Sequence, residues 1–273
     1  FNIAHNENKI TEMPDNYIEE NYTFGNGNYA YRREEGRPMG SFYGYRYKGV
    51  YQNKDATYAR DIEGNVMKDI SGNAIVMRNG SYTVAPGDAI YEDVNHDGVI
   101  NQYDIVHLGN SNPRLTGGAG LNVSYKQFKL SAIFYGRYGQ DVVNATRLNN
   151  ESMRGIDNQS TAVLRRWRNE GDQTDIPRAL YGEGYNTLGS DRFVEDASYL
   201  RLKSLSFTYR LPKKAIQRWG FNNIDVYVTG YNLFTWTNYT GQDPEVKTEN
   251  TYAKDTATTP ASIQLVAGFN LSF

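Results

Sequence analysis

Apolar and polar residues alternate with a period of two over the end of the chain. Ile263, Leu265, Ala267, Phe269, Leu271 and Phe273 fall on one face, and Ser262, Gln264, Gly268, Asn270 and Ser272 on the other. Successive strand side chains point to opposite sides of a sheet, so the stretch from Pro260 to Phe273 reads as a strand with one apolar and one wet face. The same period predicts further strands at Phe1 to Thr11, Gly118 to Tyr125, Phe128 to Tyr138, Tyr199 to Leu211 and Ile224 to about Trp236. The second and third form a hairpin around a tight Lys126-Gln127 connection, with Leu121, Val123 and Tyr125 followed on the same face by Phe128, Leu130, Ala132 and Phe134. Pro212, which has no amide hydrogen to donate, ends the fourth.

The connections alternate in length. Lys126-Gln127 and 212–223 are short, whereas 12–117, 139–198 and 239–261 are long and rich in Gly, Asn, Asp and Tyr. Short turns at one rim and long external loops at the other are the organisation of an outer-membrane β-barrel. If Phe273 ends at the inner rim, every long segment lands outside, provided that 12–117 is a single external excursion. That excursion is expected to hold a hairpin of its own around Ser41 to Tyr51. The fold class expected is therefore all-β: residues 1–273 as the C-terminal strands of a large antiparallel transmembrane β-barrel, lipid on the apolar face and the lumen on the polar one. Six strands cannot close a large barrel, and the chain has neither an initiator Met nor a signal peptide. The remaining strands and any plug are thus expected upstream.

Composition narrows the choice. With a mean hydropathy of -0.69, no apolar run approaches the roughly 18 residues of a membrane-crossing helix. A barrel is compatible with that value, because half of each strand is polar. The 23 tyrosines suit aromatic girdles and the 26 glycines suit tight turns. A soluble tyrosine-rich β-sandwich or sugar-binding module shares both features. Cysteine is absent, which excludes disulfides and thiol chemistry. A net charge of -2 gives no case for nucleic acid.

One motif carries chemistry. Asp93-Val94-Asn95-His96-Asp97-Gly98-Val99-Ile100-Asn101-Gln102-Tyr103-Asp104 follows the spacing D-x-[DN]-x-[DN]-G of a calcium loop. Asp93, Asn95 and Asp97 supply oxygens, Gly98 the sharp turn, Val99 its carbonyl and Asn101 a water-mediated contact. Asp104 stands at position 12, as in a dockerin-type loop, and Ile100 is the apolar anchor. The expected cofactor is a structural Ca²⁺ that stiffens a long loop; a metal-free cluster of Asx turns is the alternative. His5, His96 and His107 are scattered, no Ser/His/Asp set has a nucleophile context, and Gly117-Gly118-Ala119-Gly120 is followed by no helix pattern. An enzyme is therefore not expected. Gln159 to Asn169 reads as a short helix capped by Ser160 that packs Leu164 and Trp167 against its own loop, with Arg165, Arg166 and Arg168 as the alternative contact surface. Tyr43, Tyr45, Tyr47, Tyr181 and Tyr185 could stack on sugar rings.

An ordered series of segments resembles the C-terminal part of SusC/RagA-type TonB-dependent outer-membrane transporters. It runs through Gly40-Ser41-Phe42-Tyr43-Gly44-Tyr45, Pro86-Gly87-Asp88, the loop from Asp93 to Asp104 and Leu108-Gly109-Asn110-Ser111-Asn112-Pro113. It continues through Trp167 with Pro177-Arg178, Ala197-Ser198-Tyr199-Leu200-Arg201-Leu202-Lys203, Asn232-Leu233-Phe234-Thr235-Trp236-Thr237, Asp243-Pro244-Glu245 and the final Phe273. The resemblance implies a 22-stranded barrel, a size at which outer-membrane transporters have a plugged lumen. It implies a SusD-like surface lipoprotein as a lid and energy from the TonB complex acting through an upstream plug. The substrate would be an oligosaccharide or peptide and the location the outer membrane of a Gram-negative bacterium. Phe269, Leu271 and Phe273 would form the signal read by the barrel assembly machinery, and outer-membrane lipid would surround the wall. A passive or structural barrel and a secreted calcium-stabilised carbohydrate-binding module are the competing functions.

Overall fold

The computed structural model of the protein describes residues 1–13, 27–246, 248–249 and 252–273. Its largest element is a six-stranded antiparallel sheet. The strands are β1 (Asn2–His5), β2 (Leu115–Tyr125), β3 (Phe128–Tyr138), β4 (Tyr199–Arg210), β5 (Asn223–Thr237) and β6 (Gln264–Ser272), paired in that order. Among the described residues β1 and β6 are the free edges, so the sheet is an open arc of barrel wall.

The strand bounds depart from expectation for reasons visible in the ladder. β1 is shorter than Phe1 to Thr11. His5 pairs with Leu115 and the Asn6 amide donates to the Arg114 carbonyl, after which the Ile10 amide turns to Arg37 instead. β2 begins at Leu115 rather than Gly118 because β1 supplies partners for Leu115, Thr116 and Gly117. The first external excursion therefore ends at residue 114, not 117. β6 begins at Gln264, four residues after Pro260. Lys126, in a left-handed conformation with φ 53°, closes the β2–β3 hairpin so that Tyr125 faces Phe128 directly.

Register stacks the apolar side chains into bands across the wall. Tyr125, Phe128, Tyr209, Val226 and Phe269 form one band, and Val123, Leu130, Phe207, Val228 and Ala267 the next. Behind them Asn122, Ser131, Ser206 and Thr229 line the opposite face. Val123, Leu130, Phe207 and Val228 are all exposed. In water such a surface would forfeit about 25 cal/mol for every apolar Å² left uncovered; against lipid it forfeits nothing. No helix among the described residues is long and apolar enough to cross a membrane.

The alternation changes phase once. Ile133 pairs with Ser204 and Phe134 with Leu202, while on the other side Tyr231 pairs with Ser204 and Phe234 with Leu202, which leaves Lys203 without a ladder partner. A bulge of this kind inserts one residue and reverses the faces beyond it. Leu205, Phe207 and Tyr209 thus share the apolar face with Leu200 and Leu202, and Tyr199 and Arg201 turn to the polar one. Asn232, at φ 53°, takes up the same irregularity in β5.

The long connections fold together as a layer over one rim. Ser41–Gly44 and Tyr47–Val50 are both strands, but they do not form the expected hairpin. The first pairs with Ala30–Tyr31 and Val106–Asn110, and the second with Ala89–Tyr91. The link between them is held by the Gly189 carbonyl, which accepts from the Tyr45 amide. A mixed four-stranded sheet ties two connections: Val194–Asp196, Asp141–Asn144, Tyr252–Asp255 and Thr248–Glu249, with Val143 parallel to Lys254. Aromatic burial holds the layer. Tyr43, Tyr45, Tyr51, Tyr91 and Tyr185 pack with Met77 and Ile100 in one cluster, and Tyr29, Phe42, Leu148 and Phe193 in a second.

Candidate functional site: the external loop layer

The calcium-type loop closes on its own backbone. Asp93 accepts from the Gly98 amide through Oδ2 (2.8 Å), Asp97 from the Val99 amide through Oδ1 (2.8 Å), and Asn101 from the Tyr103 amide (2.8 Å). Gly98 has φ 79°, and a Cβ there would stand 2.9 Å from that of Ala59, so the turn requires glycine. Ile100 is fully buried, as the anchor position demands. Asp104 is buried as well, with Oδ1 on the Val94 amide and Oδ2 on the Asn101 amide, both at 2.8 Å. Burial pushes its carboxyl above the usual carboxylate range, and the neighbouring Asp93 and Asp97 charges push the same way.

The donors fit a hard cation in kind. Each carboxylate oxygen has two lone pairs and can accept a hydrogen bond while keeping one for a metal. Among the described residues no three His, Asp or Glu side chains are grouped so as to hold an ion alone. An ion bound here would therefore also need the Asn95 and Asn101 amide oxygens and the Val99 carbonyl.

Other side chains singled out from the sequence have packing roles. Tyr43, Tyr45 and Tyr185 are buried, which removes them as sugar-stacking surfaces; Tyr181 remains exposed. The helix expected over Gln159 to Asn169 is reduced to a 3-10 turn, Thr161–Arg165, capped by Ser160 as foreseen. Leu164 is exposed. Trp167 lies beyond the turn with its ring against Gly87, leaving no room for a Cβ there. His5 and His96 are exposed. His107 is half-buried against Ser41 Oγ (3.2 Å), and burial lowers its pKa.

The segments of the ordered series meet one another in space. Arg178 donates through Nε to Asp88 Oδ1 (2.7 Å), and its backbone amide donates to the Gly87 carbonyl (2.7 Å). Fully buried Asp88 also accepts from the Tyr82 hydroxyl (2.7 Å), the Ala85 amide (2.8 Å) and the Asn186 amide group (3.3 Å). Asn110 and Asn112 both donate to the Met39 carbonyl, and Ser111 Oγ accepts from the Ala253 amide. Buried Arg201 reaches from the wall to Asp243 and Glu245 of the third connection, where Lys203 joins Glu245 at 2.8 Å. Glu151 and Glu195 hold Arg147, Arg192 and Thr240 together across the second and third connections. Which segments would pair was not legible in the sequence. The signal present was co-occurrence of Asp and Arg within short motifs, without any indication of partner.

An amphipathic strand wall roofed by stapled loops is the architecture of one part of an outer-membrane β-barrel. Comparison with known proteins agrees. No protein-family model matches the chain. TonB-dependent receptor P3 of Formosa agariphila is 33% identical over 92% of this chain, and TonB-dependent receptor P26 of the same organism 36% identical over 58%. Solved structures of the RagAB peptide transporter and of the RagAB peptide importer in its closed-closed state superpose with TM-scores of 0.71 and 0.70. Each is 26% identical and covers 99% of this chain. The chain belongs to the TonB-dependent outer-membrane transporters of the SusC/RagA type, as part of the β-barrel. It spans 23% of receptor P3 and 26% of either RagAB chain.

Proposed function

We propose that the chain is part of an energised importer in the outer membrane of a Gram-negative bacterium, working with a SusD-like surface lipoprotein to take up oligosaccharides or peptides. The observation that carries this reading is the match over 99% of the chain to the RagAB peptide importer, wall and loop layer together. The wall supplies a lipid face and a lumen face. The loop layer supplies a rigid external surface on which a lid can rest. The TonB complex would act on a plug that residues 1–273 do not contain.

Three finer assignments accompany it. Asp93, Asn95, Asp97, Val99, Asn101 and Asp104 would hold Ca²⁺, whose charge would stiffen the layer beside Ala59. Phe269, Leu271 and Phe273 would be read by the barrel assembly machinery; Phe273 is 81% exposed at the end of the lipid face. No residue of this segment is assigned to catalysis.

The test is affinity purification of the full-length parent from outer membranes in mild detergent, with mass spectrometry of what stays bound, alongside uptake by cells with and without TonB. A bound surface lipoprotein and TonB-dependent uptake of peptide or oligosaccharide are expected. A barrel that purifies alone and passes solute equally without TonB would be a passive pore and would overturn the reading.

A further inference from the structure

The turn from β4 to β5, residues 211–222, carries Lys213, Lys214 and Arg218 and has neither Asp nor Glu. The two lysines lie in the short helix Lys213–Ile216 and the arginine in the 3-10 turn Gln217–Trp219. All three are exposed, and among the described residues none of them joins a salt bridge. Five cations of the loop layer, Arg46, Lys48, Arg147, Arg178 and Arg192, each have a carboxylate within 3.2 Å, whereas isolated lysines there, Lys54 and Lys68, join no salt bridge among the described residues.

The same turn has an apolar anchor. Ile216 is fully buried and fixes the helix to the wall. Phe221 packs its ring 4.8 Å from that of Phe273, the last residue of the lipid face, so this part of the turn sits where the wall leaves the hydrocarbon. Trp219 is 56% exposed with the Arg218 guanidinium 5.3 Å above its ring. At the neighbouring turn of the same rim Lys126 stands 5.2 Å over Tyr125. Aromatic rings beside cations are the residues of a membrane–water interface, and clustered Lys and Arg at that depth attract anionic headgroups.

We propose that Lys213, Lys214 and Arg218, held beside Trp219, bind the phosphate headgroups of anionic phospholipid in the leaflet that meets the short turns. This rests on the membrane-barrel reading alone and is independent of substrate, lid or TonB. The complementarity is one of charge: a cation cluster that the protein leaves uncompensated, at the height where a phospholipid presents phosphate.

The experiment uses the full-length transporter in nanodiscs of mixed phosphatidylglycerol and phosphatidylcholine, with retained lipid measured by native mass spectrometry after delipidation. Wild type is expected to retain phosphatidylglycerol over phosphatidylcholine, on the order of ten-fold, with the preference shrinking as salt rises. Combined Lys213→Gln, Lys214→Gln and Arg218→Gln should remove most of that preference, and Lys68→Gln in the loop layer should leave it intact. The single variants Lys213→Gln and Lys214→Gln should give partial losses, and they decide the matter if the combined variant does not assemble. Equal retention of both lipids by wild type, or an unchanged preference in the variants, would overturn the proposal. So would an acidic periplasmic protein that is lost with the three cations while lipid preference stays. A transporter shown to be passive could still pass this test, so its failure and that of the importer reading are separable.

Discussion

Asp88 shows how much of the loop layer hangs on single side chains. It is fully buried; its bonds to Arg178 and Asn186 tie Pro86-Gly87-Asp88 to a distant segment, and those from Tyr82 and Ala85 close the local turn. A buried carboxylate is tolerated only when its desolvation is offset by such partners. Asp88→Ala would strand the Arg178 charge and is expected to destabilise the layer by about 3–5 kcal/mol. The readout is limited protease digestion of the intact transporter. Cleavage within residues 50–110 should become rapid while the barrel still shows heat-modifiable migration; unchanged protection would refute the role. The sequence named both Asp88 and Arg178 as parts of one ordered series. It did not reveal that they touch, because a separation of 90 residues leaves no local pattern to read.

Strands and loops differ in how readily they can be read. Period-two alternation located β3 to the residue, since a face against lipid enforces the rule at every position. The strands of the loop layer are two to five residues long and are chosen by what lies opposite, so Ser41–Gly44 and Tyr47–Val50 looked like partners and are not. The tandem Asp-Ile-x-Gly-Asn at Asp61 and Asp69 is a short local repeat in the loop layer. Both copies form the same Asx turn, with Asn65 and Asn73 amides on the preceding Asp, and the spacing of the two copies was the available signal. The bulge at Lys203 was hidden for a further reason: a one-residue phase change is invisible unless both neighbouring strands are aligned. Deleting Lys203 is expected to rotate Tyr199 and Arg201 onto the lipid face and to break the buried pairs of Arg201 with Asp243 and Glu245, at a cost of about 3–5 kcal/mol. Folded, heat-modifiable barrel should fall sharply. Lys203→Ala keeps the bulge, loses an ion pair worth roughly 0–1 kcal/mol, and should assemble almost normally. Equal yields of the two variants would show that the bulge does not set the faces. Loss of Phe273 would also lower the yield, by removing the proposed assembly signal rather than by turning a strand.

At the scale of the whole segment, wall and loop layer are continuous in the chain and are further linked by side chains, among them buried Arg201 with Asp243 and Glu245. An ion in the Asp93–Asp104 loop would stabilise the loop layer and not the wall. Under the calcium assignment proposed above, saturation at a hundred times the dissociation constant adds about 2.7 kcal/mol to the layer. Chelation of the purified transporter should therefore speed proteolysis of the loops and leave the heat-modifiability of the barrel unchanged. Restoring Ca²⁺ should reverse the effect and Mg²⁺ should not. Asp97→Asn should blunt the response to chelator. A layer equally resistant with and without chelator would remove the ion from the account.

The mixed sheet that joins Val143 to Lys254 also imposes an order in time. Its strands come from connections on either side of β4 and β5, and the layer is further closed by contacts such as Tyr29 to Ser190, 161 residues apart. The β2–β3 hairpin needs only its own neighbours. Ordering long-range partners is the slow part of folding, so the β2–β3 hairpin can form while the roof is still open. Until the roof closes, Phe42, Val143 and Phe193, which bury one another in the finished layer, would be left without that cover, and the segment would be at its stickiest just before its last strands join.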